Sequence, residues 1–297
     1  MTILASNDVF HALDQGLAAA VAAAGPSVIH VSRPRSGGTG IAWAADLVVT
    51  SSFHTPDRTR VGIPAADGSG ELQRFDAEVI GRDPGTDVAV LRVPGAAFTP
   101  ATPRELTGLG VGNLALAIGR PGRSARASLR AIGVLGPEVR TPYGGRLDRY
   151  IESDRQIPRG FAGGPLIDAD GAVIGMNTRT LVRGTDLAVP VVTLRRVIDE
   201  LVAHGGVRRG YLGVGAFPAT LPGAVKGALV ASLDDGGPAA TAGLFVGDVI
   251  TSLDGDPVTG PDGLREAIGD RAGEVVAIEL VRAGVAQTRS ATIGSKS

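Results

Sequence analysis

The sequence predicts a mainly β chain in two domains joined by a helix, and three observations predict it. Apolar residues come in short runs rich in Val and Ile, cut by Gly, Pro and Asp, the signature of strands linked by turns. One stretch, residues 191–204, instead repeats its apolar residues at three- and four-residue steps, the period of an amphipathic helix. Beyond it the strand pattern restarts and runs to the C-terminus. Hydrophobic residues make up 43% of the 297 positions but aromatics only 4%, so the cores are expected to be built from Val, Leu, Ile and Ala.

In chain order, residues 7–24 read as a helix of small residues packed on a core. Their apolar run, 16–25, is closed by Pro26, well short of the roughly 20 residues a membrane span needs. No basic segment precedes it, and Asp8 and Asp14 interrupt the N-terminus before it, so no export signal is visible. As given, the chain is expected to be cytoplasmic, or periplasmic if a leader has been removed. The strand candidates that follow are 27–31, 46–52, 76–83, 87–93, 113–119, 149–154 and 172–178, which argue for a barrel or sandwich. In the 191–204 helix Val192, Leu194, Val197, Ile198, Leu201 and Val202 form the apolar stripe, and Gly205-Gly206 ends it. Strands are then expected at 211–217, 227–233, 247–255 and 274–284, with a helix at 261–269. The expected division is a helical segment 1–25, a first domain 26–204 and a second domain 205–297.

Composition excludes several chemistries. With 29 basic and 30 acidic side chains, and no basic tract, nucleic acid is not an expected partner. The absence of cysteine removes disulfides, thiolate chemistry and Cys-bound zinc. Four scattered histidines offer no metal-ligand spacing, and no cofactor is expected. The glycine-rich GLGVG at 108–112 opens no helix, so it does not cradle a nucleotide. The carboxylates are too dispersed to nominate a glycosidase pair.

Three stretches carry a resemblance. They are VVTSSFHT (48–55), GRDPGTDVAVLRV (81–93) and RQIPRGFAGGPLIDADGAVIGMNT (155–178). In this order they resemble the HtrA/Deg family of trypsin-fold serine proteases, whose corresponding stretches end in T-x-x-H, contain T-D-x-A-V-L, and contain P-G-N-S-G-G-P-L followed by D-G-x-V-I-G-x-N-T. TDLAVPVVTLRRVIDEL (185–201) resembles the family's closing strand and exit helix. RRGYLGV (208–214) and GGPAATAGLFVGDVITSLDGDPV (236–258) resemble its PDZ domain. The resemblance spans about residues 26 to 290. It implies a two-barrel trypsin-like fold followed by an α+β PDZ domain.

The resemblance also implies a catalytic trio, and this sequence departs from it. Asp87 stands at the aspartate position, Phe53 at the histidine position and Ala162 at the serine position. A methyl group cannot form an acyl-enzyme and a phenyl ring cannot accept a proton. His54 is one residue off, which turns its side chain away from the site. Losing nucleophile or base costs a comparable triad about 10^6 in turnover, which takes a typical rate of about 10 per second to about one event per day. Gly160, Phe161 and Ala162 are the candidate N–H donors of an oxyanion hole. Phe53 and Phe161 are expected to crowd the old site, and Thr178 and its strand to pair with an extended chain. Ser51, Ser52 and Ser153 have no histidine partner and read as strand-end or turn residues.

In the PDZ-like part, the resemblance makes Tyr211-Leu212-Gly213-Val214 the loop that offers N–H groups to a peptide carboxylate, with Leu264 and Ile268 as pocket wall. The function implied is a catalytically dead binder of peptides or protein C-termini, a scaffold or a regulator of an active protease paralogue. Two alternatives stand beside it: a serine endopeptidase carrying inactivating changes, and a structural subunit with no peptide ligand. The family commonly forms trimers through its N-terminal region, where this chain offers one aromatic residue, Phe10.

Overall fold

The computed structural model describes residues 6–33, 37–66, 69–182, 184–269 and 271–296. Two compact units divide the chain, residues 1–207 and 208–297.

The first unit opens with helix α1 (Ser6–Ala24). Ala20 and Ala24 are buried, and Leu17 and Val21 pack against the same core, while Val9, Phe10 and Leu13 are exposed. The first barrel is formed by β1 (Val28–Val31), β2 (Gly38–Ala44), β3 (Leu47–Ser51), β4 (Arg58–Pro64), β5 (Leu72–Asp83) and β6 (Val88–Arg92). It closes in the order β1-β2-β3-β6-β5-β4. The second barrel contains β7 (Leu114–Gly119) and β8 (Arg126–Gly136). A small hairpin follows, β9 (Val139–Arg140) with β10 (Arg146–Leu147), and then β11 (Tyr150–Ser153), β12 (Pro165–Ile167), β13 (Val173–Val182) and β14 (Thr185–Pro190). It closes in the order β11-β14-β13-β12-β7-β8.

One core joins the two barrels. Ile41, Val49 and Val90 of the first meet Ile118, Ile167, Met176 and Val189 of the second. Helix α2 (Val191–His204) adds Leu194, Val197, Ile198 and Leu201 to it. Its expected stripe is too wide: Val192 and Val202 are exposed, whereas Val191 and Thr193 are buried. Thr193 can be buried because its hydroxyl donates to Asp148 Oδ2 at 2.8 Å and accepts the Asp148 N–H at 2.9 Å. Gly205, at φ +74, caps the helix with an N–H to the Leu201 carbonyl.

The second unit has its own core, built on Leu212, Val230, Ile250, Leu264, Ile278 and Leu280 among others. Its elements are β15 (Arg209–Tyr211), β16 (Val214–Thr220), β17 (Lys226–Leu233), α3 (Pro238–Thr241), β18 (Val249–Leu253), β19 (Asp256–Pro257), α4 (Pro261–Ile268), β20 (Val275–Arg282), β21 (Val285–Thr292) and β22 (Gly294–Lys296). The main sheet runs β16-β17-β18-β20-β21, and β15 pairs with β22 apart from it. The continuous strand expected at 211–217 is therefore two strands, interrupted at Leu212-Gly213. Gly213 sits at φ +77, a conformation that no strand continues through.

Candidate functional site

The Asp83–Asp87 turn sets the centre of the first unit. The Asp83 carboxylate accepts the N–H groups of Gly85 and Thr86, both at 3.1 Å, and the Thr86 hydroxyl at 2.7 Å. Thr141 Oγ1 donates to the Gly85 carbonyl at 2.6 Å, so a loop between the β9–β10 strands holds the turn from outside. Asp87 follows at φ +59, a left-handed conformation that Asp tolerates better than most residues.

The Asp87 side chain is completely buried and surrounded by donors. Thr178 Oγ1 donates to Oδ2 at 2.6 Å. Ser51 Oγ lies 2.9 and 3.0 Å from the two oxygens. Ser52 Oγ and the Phe53 N–H reach Oδ1 at 3.3 and 3.1 Å. The carboxylate thus ties the end of β3 to β13 of the other barrel. Ser51 and Ser52 are more than strand-end residues: they supply two of the donors. The carboxylate beside them in space was the missing signal, because 35 residues separate Ser52 from Asp87 in sequence. Thr178, expected to pair with an extended chain, spends its hydroxyl on Asp87.

The two phenylalanines do not crowd one site together. Phe53 is 40% exposed and its ring tilts over Tyr143, with centroids 5.2 Å apart. Phe161 is 2% exposed and belongs to the core of the second barrel. Its ring lies on Gly119, where a Cβ would come within 2.5 Å of it. A large apolar side chain next to an apolar core buries itself there rather than in an open cleft. The side chain of His54 lies outside the described residues.

Ala162 is held against both barrels by its neighbours. Gly163 takes φ +88, and a Cβ there would fall 2.4 Å from the Thr39 carbonyl oxygen and 2.5 Å from Thr50 Oγ1, so only glycine lets the loop lie on β2 and β3. The Gly163 N–H donates to the Asn177 carbonyl at 2.8 Å, and Thr39 Oγ1 donates to the Gly160 carbonyl at 2.6 Å. Of the three candidate oxyanion donors, Phe161 N–H is engaged by the Pro158 carbonyl at 3.2 Å. The N–H groups of Gly160 and Ala162 have no hydrogen-bond partner among the described residues. Arg33 also reaches this loop, with Nη2 3.4 Å from the Ala162 carbonyl oxygen. Nothing in the sequence marks Arg33, which follows β1 without a motif. Ser153, the remaining serine, donates to the Arg155 carbonyl at 3.2 Å, a turn contact.

In the second unit a cavity of about 450 Å³ opens between β16 and α4. Tyr211, Leu212, Gly213 and Val214 line it together with Leu264, Arg265 and Ile268. Leu264 and Ile268 are 2% and 6% exposed. The loop is anchored by its carbonyls: Leu212 O accepts from Ala239 N–H at 2.8 Å and Gly213 O from Asp234 N–H at 3.0 Å. The N–H groups of Leu212 and Gly213 have no partner among the described residues. Tyr211 Oη donates to the Asp234 carboxylate, and that bond raises the phenol's pKa above its ordinary value. β16 is the last strand of its sheet, so one edge of its backbone is open to a further strand.

No group of histidines or carboxylates among the described residues could hold a metal ion, and no described helix is long and apolar enough to cross a membrane.

Comparison with known proteins follows the division into units. The description "Trypsin-like peptidase domain" matches residues 38–176 and "PDZ domain" matches residues 229–282. The chain is 33% identical over 279 residues to a probable periplasmic serine endoprotease, DegP-like, of Brucella suis biovar 1 (strain 1330), a match covering 89% of this chain and 53% of that protein. A protein of the same description from Pseudomonas putida (strain W619) is 33% identical over 275 residues, covering 87% and 56%. The chain thus spans about half the length of the curated relatives it matches. Among solved structures, the HtrA-type protease AlgW with decapeptide is similar at a TM-score of 0.73 and 25% identity, covering 95% of this chain and 99% of that one. The serine endoprotease from Yersinia pestis shares the fold at a TM-score of 0.71 and 24% identity, over 100% of both chains.

Proposed function

The chain belongs to the HtrA/DegP family of trypsin-like serine endoproteases with a PDZ domain, and from this premise we propose that it is a catalytically inactive member that binds peptides or protein C-termini. The observation that carries the first half is Asp87. Its carboxylate is occupied by Thr178, Ser51, Ser52 and the Phe53 N–H, and the residue in the nucleophile's loop is Ala162. A backbone able to stabilise an oxyanion gains nothing without a group to make one.

The second half rests on the groove in residues 208–297. An open strand edge, a loop with two unpartnered N–H groups and a wall of Leu264 and Ile268 are the parts needed for strand addition with carboxylate capture. Binding of this kind would let the protein scaffold or regulate an active protease of the same family. The relatives are named periplasmic, which supports an extracytoplasmic location and gives no support to the cytoplasmic expectation.

Two measurements test the reading. Incubation with casein and with a fluorophosphonate probe should give neither cleavage nor labelling; cleavage that survives repurification and is lost in Ser51→Ala or Ser52→Ala would reveal a relocated nucleophile. For the groove, a screen of C-terminal peptides should yield ligands ending in an apolar residue. Because charge-assisted hydrogen bonds contribute roughly 1.5–3 kcal/mol each, amidating the best peptide should weaken it about tenfold or more in calorimetry. Equal affinity of the two forms would favour the structural-subunit alternative.

A further inference from the structure

Four guanidinium groups gather on the first barrel. Arg33 and Ser32 follow β1, which is bound to β4 through Ser32 N–H to the Arg60 carbonyl at 2.8 Å and Thr59 Oγ1 to the Ser32 carbonyl at 2.6 Å. Arg58 and Arg60 lie two apart on β4, and Arg74 stands on β5 opposite Gly62. Arg74 reaches across to Ser32 Oγ at 3.4 Å. A cavity of about 330 Å³ opens beside three of them, lined among the described residues by Arg33, Arg58, Arg60, Ser32, Pro56 and Thr59, with Asp76 as the one carboxylate; Arg74 stands outside the lining.

None of the four arginines forms an ion pair among the described residues. Elsewhere in the same unit arginines are paired: Arg82 with Asp57 at 3.0 Å, Arg104 with Asp168 at 2.7 Å and Arg196 with Asp148 at 3.2 Å. Arg33 is the most constrained of the four. Its Nε is enclosed and has no partner, and burial lowers its pKa although the charge of Asp87 acts the other way. Its Nε is out of reach of a ligand, so what Arg33 contributes to the cavity it lines is a partly desolvated positive charge. Arg33 also touches the Ala162 carbonyl, so the basic cavity adjoins the loop where a protease of this fold would cut.

We propose that this cavity binds aspartate or glutamate side chains of an extended peptide lying along the vacated cleft. The proposal adds a ligand class to the peptide-binding reading, on a surface separate from the groove in residues 208–297. The planar fork of Arg matches a carboxylate, and the space suits one or two side chains. A nucleic-acid strand is a poorer occupant, because single strands are held by aromatic stacking and no aromatic side chain lines the cavity.

The test uses the intact protein and fluorescein-labelled peptides blocked at both ends, so that no free C-terminus engages the other groove. One peptide carries several Glu residues and its twin carries Gln at the same places. The Glu peptide should bind about tenfold tighter than its twin at low salt, and the gap should close at high salt, where the Debye length shrinks to about 3 Å. Arg58→Gln with Arg60→Gln should remove most of the gap; both side chains are exposed, so circular dichroism should be unchanged. Equal affinity of the twins, no binding of either, a gap that survives the double substitution, or displacement of the Glu peptide by lower concentrations of a single-stranded oligonucleotide would each overturn the proposal. Free-ended peptides measured in parallel report the other groove separately.

Discussion

Asp87 is fully buried with hydrogen-bond donors on both oxygens, so its surroundings already satisfy the carboxylate oxygens. Restoring catalysis therefore needs a base before a nucleophile. Ala162→Ser alone should leave fluorophosphonate labelling at background, because a serine hydroxyl without a base stays protonated at neutral pH. Phe53→His with Ala162→Ser should give detectable labelling, since the 53 N–H already sits on Asp87 and an imidazole there is within reach of orientation. Strong labelling of the single variant would mean that another base reaches residue 162. A second prediction concerns His30, which is buried and whose Nδ1 donates to the Arg120 carbonyl at 3.0 Å. Burial, and secondarily the charges of Arg74 and Arg120, lower its pKa below 6.5, against the opposing pull of that hydrogen bond. The folded state thus holds fewer protons than the unfolded one, and the stability is present above pH 6.5 and lost as pH falls through the folded value. Urea unfolding of the protein should show lower stability at pH 5.5 than at pH 7.5, and His30→Gln should show a smaller difference.

At the scale of elements, legibility followed the side chains that advertise themselves. The bounds of the helix at 191–204 were legible to the residue because period, length and a stop glycine agree, although its buried face was not. Strands β3, β6 and β7 were legible because both faces are buried and the runs are continuous. Strands β2, β4, β8 and β12 were not. GTGIAWA is broken by glycines, RTRVGIP carries charges on an exposed face, RASLRAIGVLG mixes an exposed Arg126 with a buried Arg130, and PLI is three residues long. Closing a barrel supplies such strands with partners that no local pattern announces. The candidate site was proposed from three positions in a row of motifs; the donors around Asp87 and the inward turn of Phe161 depend on contacts across 34 to 91 residues and left no local trace. Gly163 joins the loop to the first barrel, and Gly163→Ala should destabilise the first unit by about 3 kcal/mol or more, since the added methyl meets backbone oxygen at an unfavourable φ. Urea unfolding measures this, and a loss under about 1 kcal/mol would mean that the loop relaxes freely.

At the scale of the molecule, the two units have separate cores. Residues 208–297 expressed alone should fold cooperatively and bind the best C-terminal peptide with the affinity of the full chain, and residues 1–207 alone should not bind it. Nuclear magnetic resonance dispersion and calorimetry decide this; a weaker affinity in the fragment would mean that the first unit contributes to the groove. Gly213 lies within the fragment at φ +77. A Cβ there would approach Tyr211 Oη at 3.2 Å and Gly237 Cα at 3.4 Å, so Gly213→Val should abolish binding by distorting the loop, more than by filling the carboxylate's place.

The buried Asp87 has a bearing on how an enzyme can be dismantled. On the reading proposed above, base and nucleophile are terminal groups, and exchanging them for Phe53 and Ala162 leaves the hydrogen bonds to the Asp87 carboxylate in place. The carboxylate is a shared anchor for Thr178, Ser51 and Ser52, and deleting it would strand their hydroxyls and a backbone N–H in the interior. On the proposed reading, a lineage released from proteolysis would shed the reactive pair at little cost to folding, while the aspartate would persist as masonry. In such folds an intact aspartate reports architecture, and it carries no information about whether the protein still cuts.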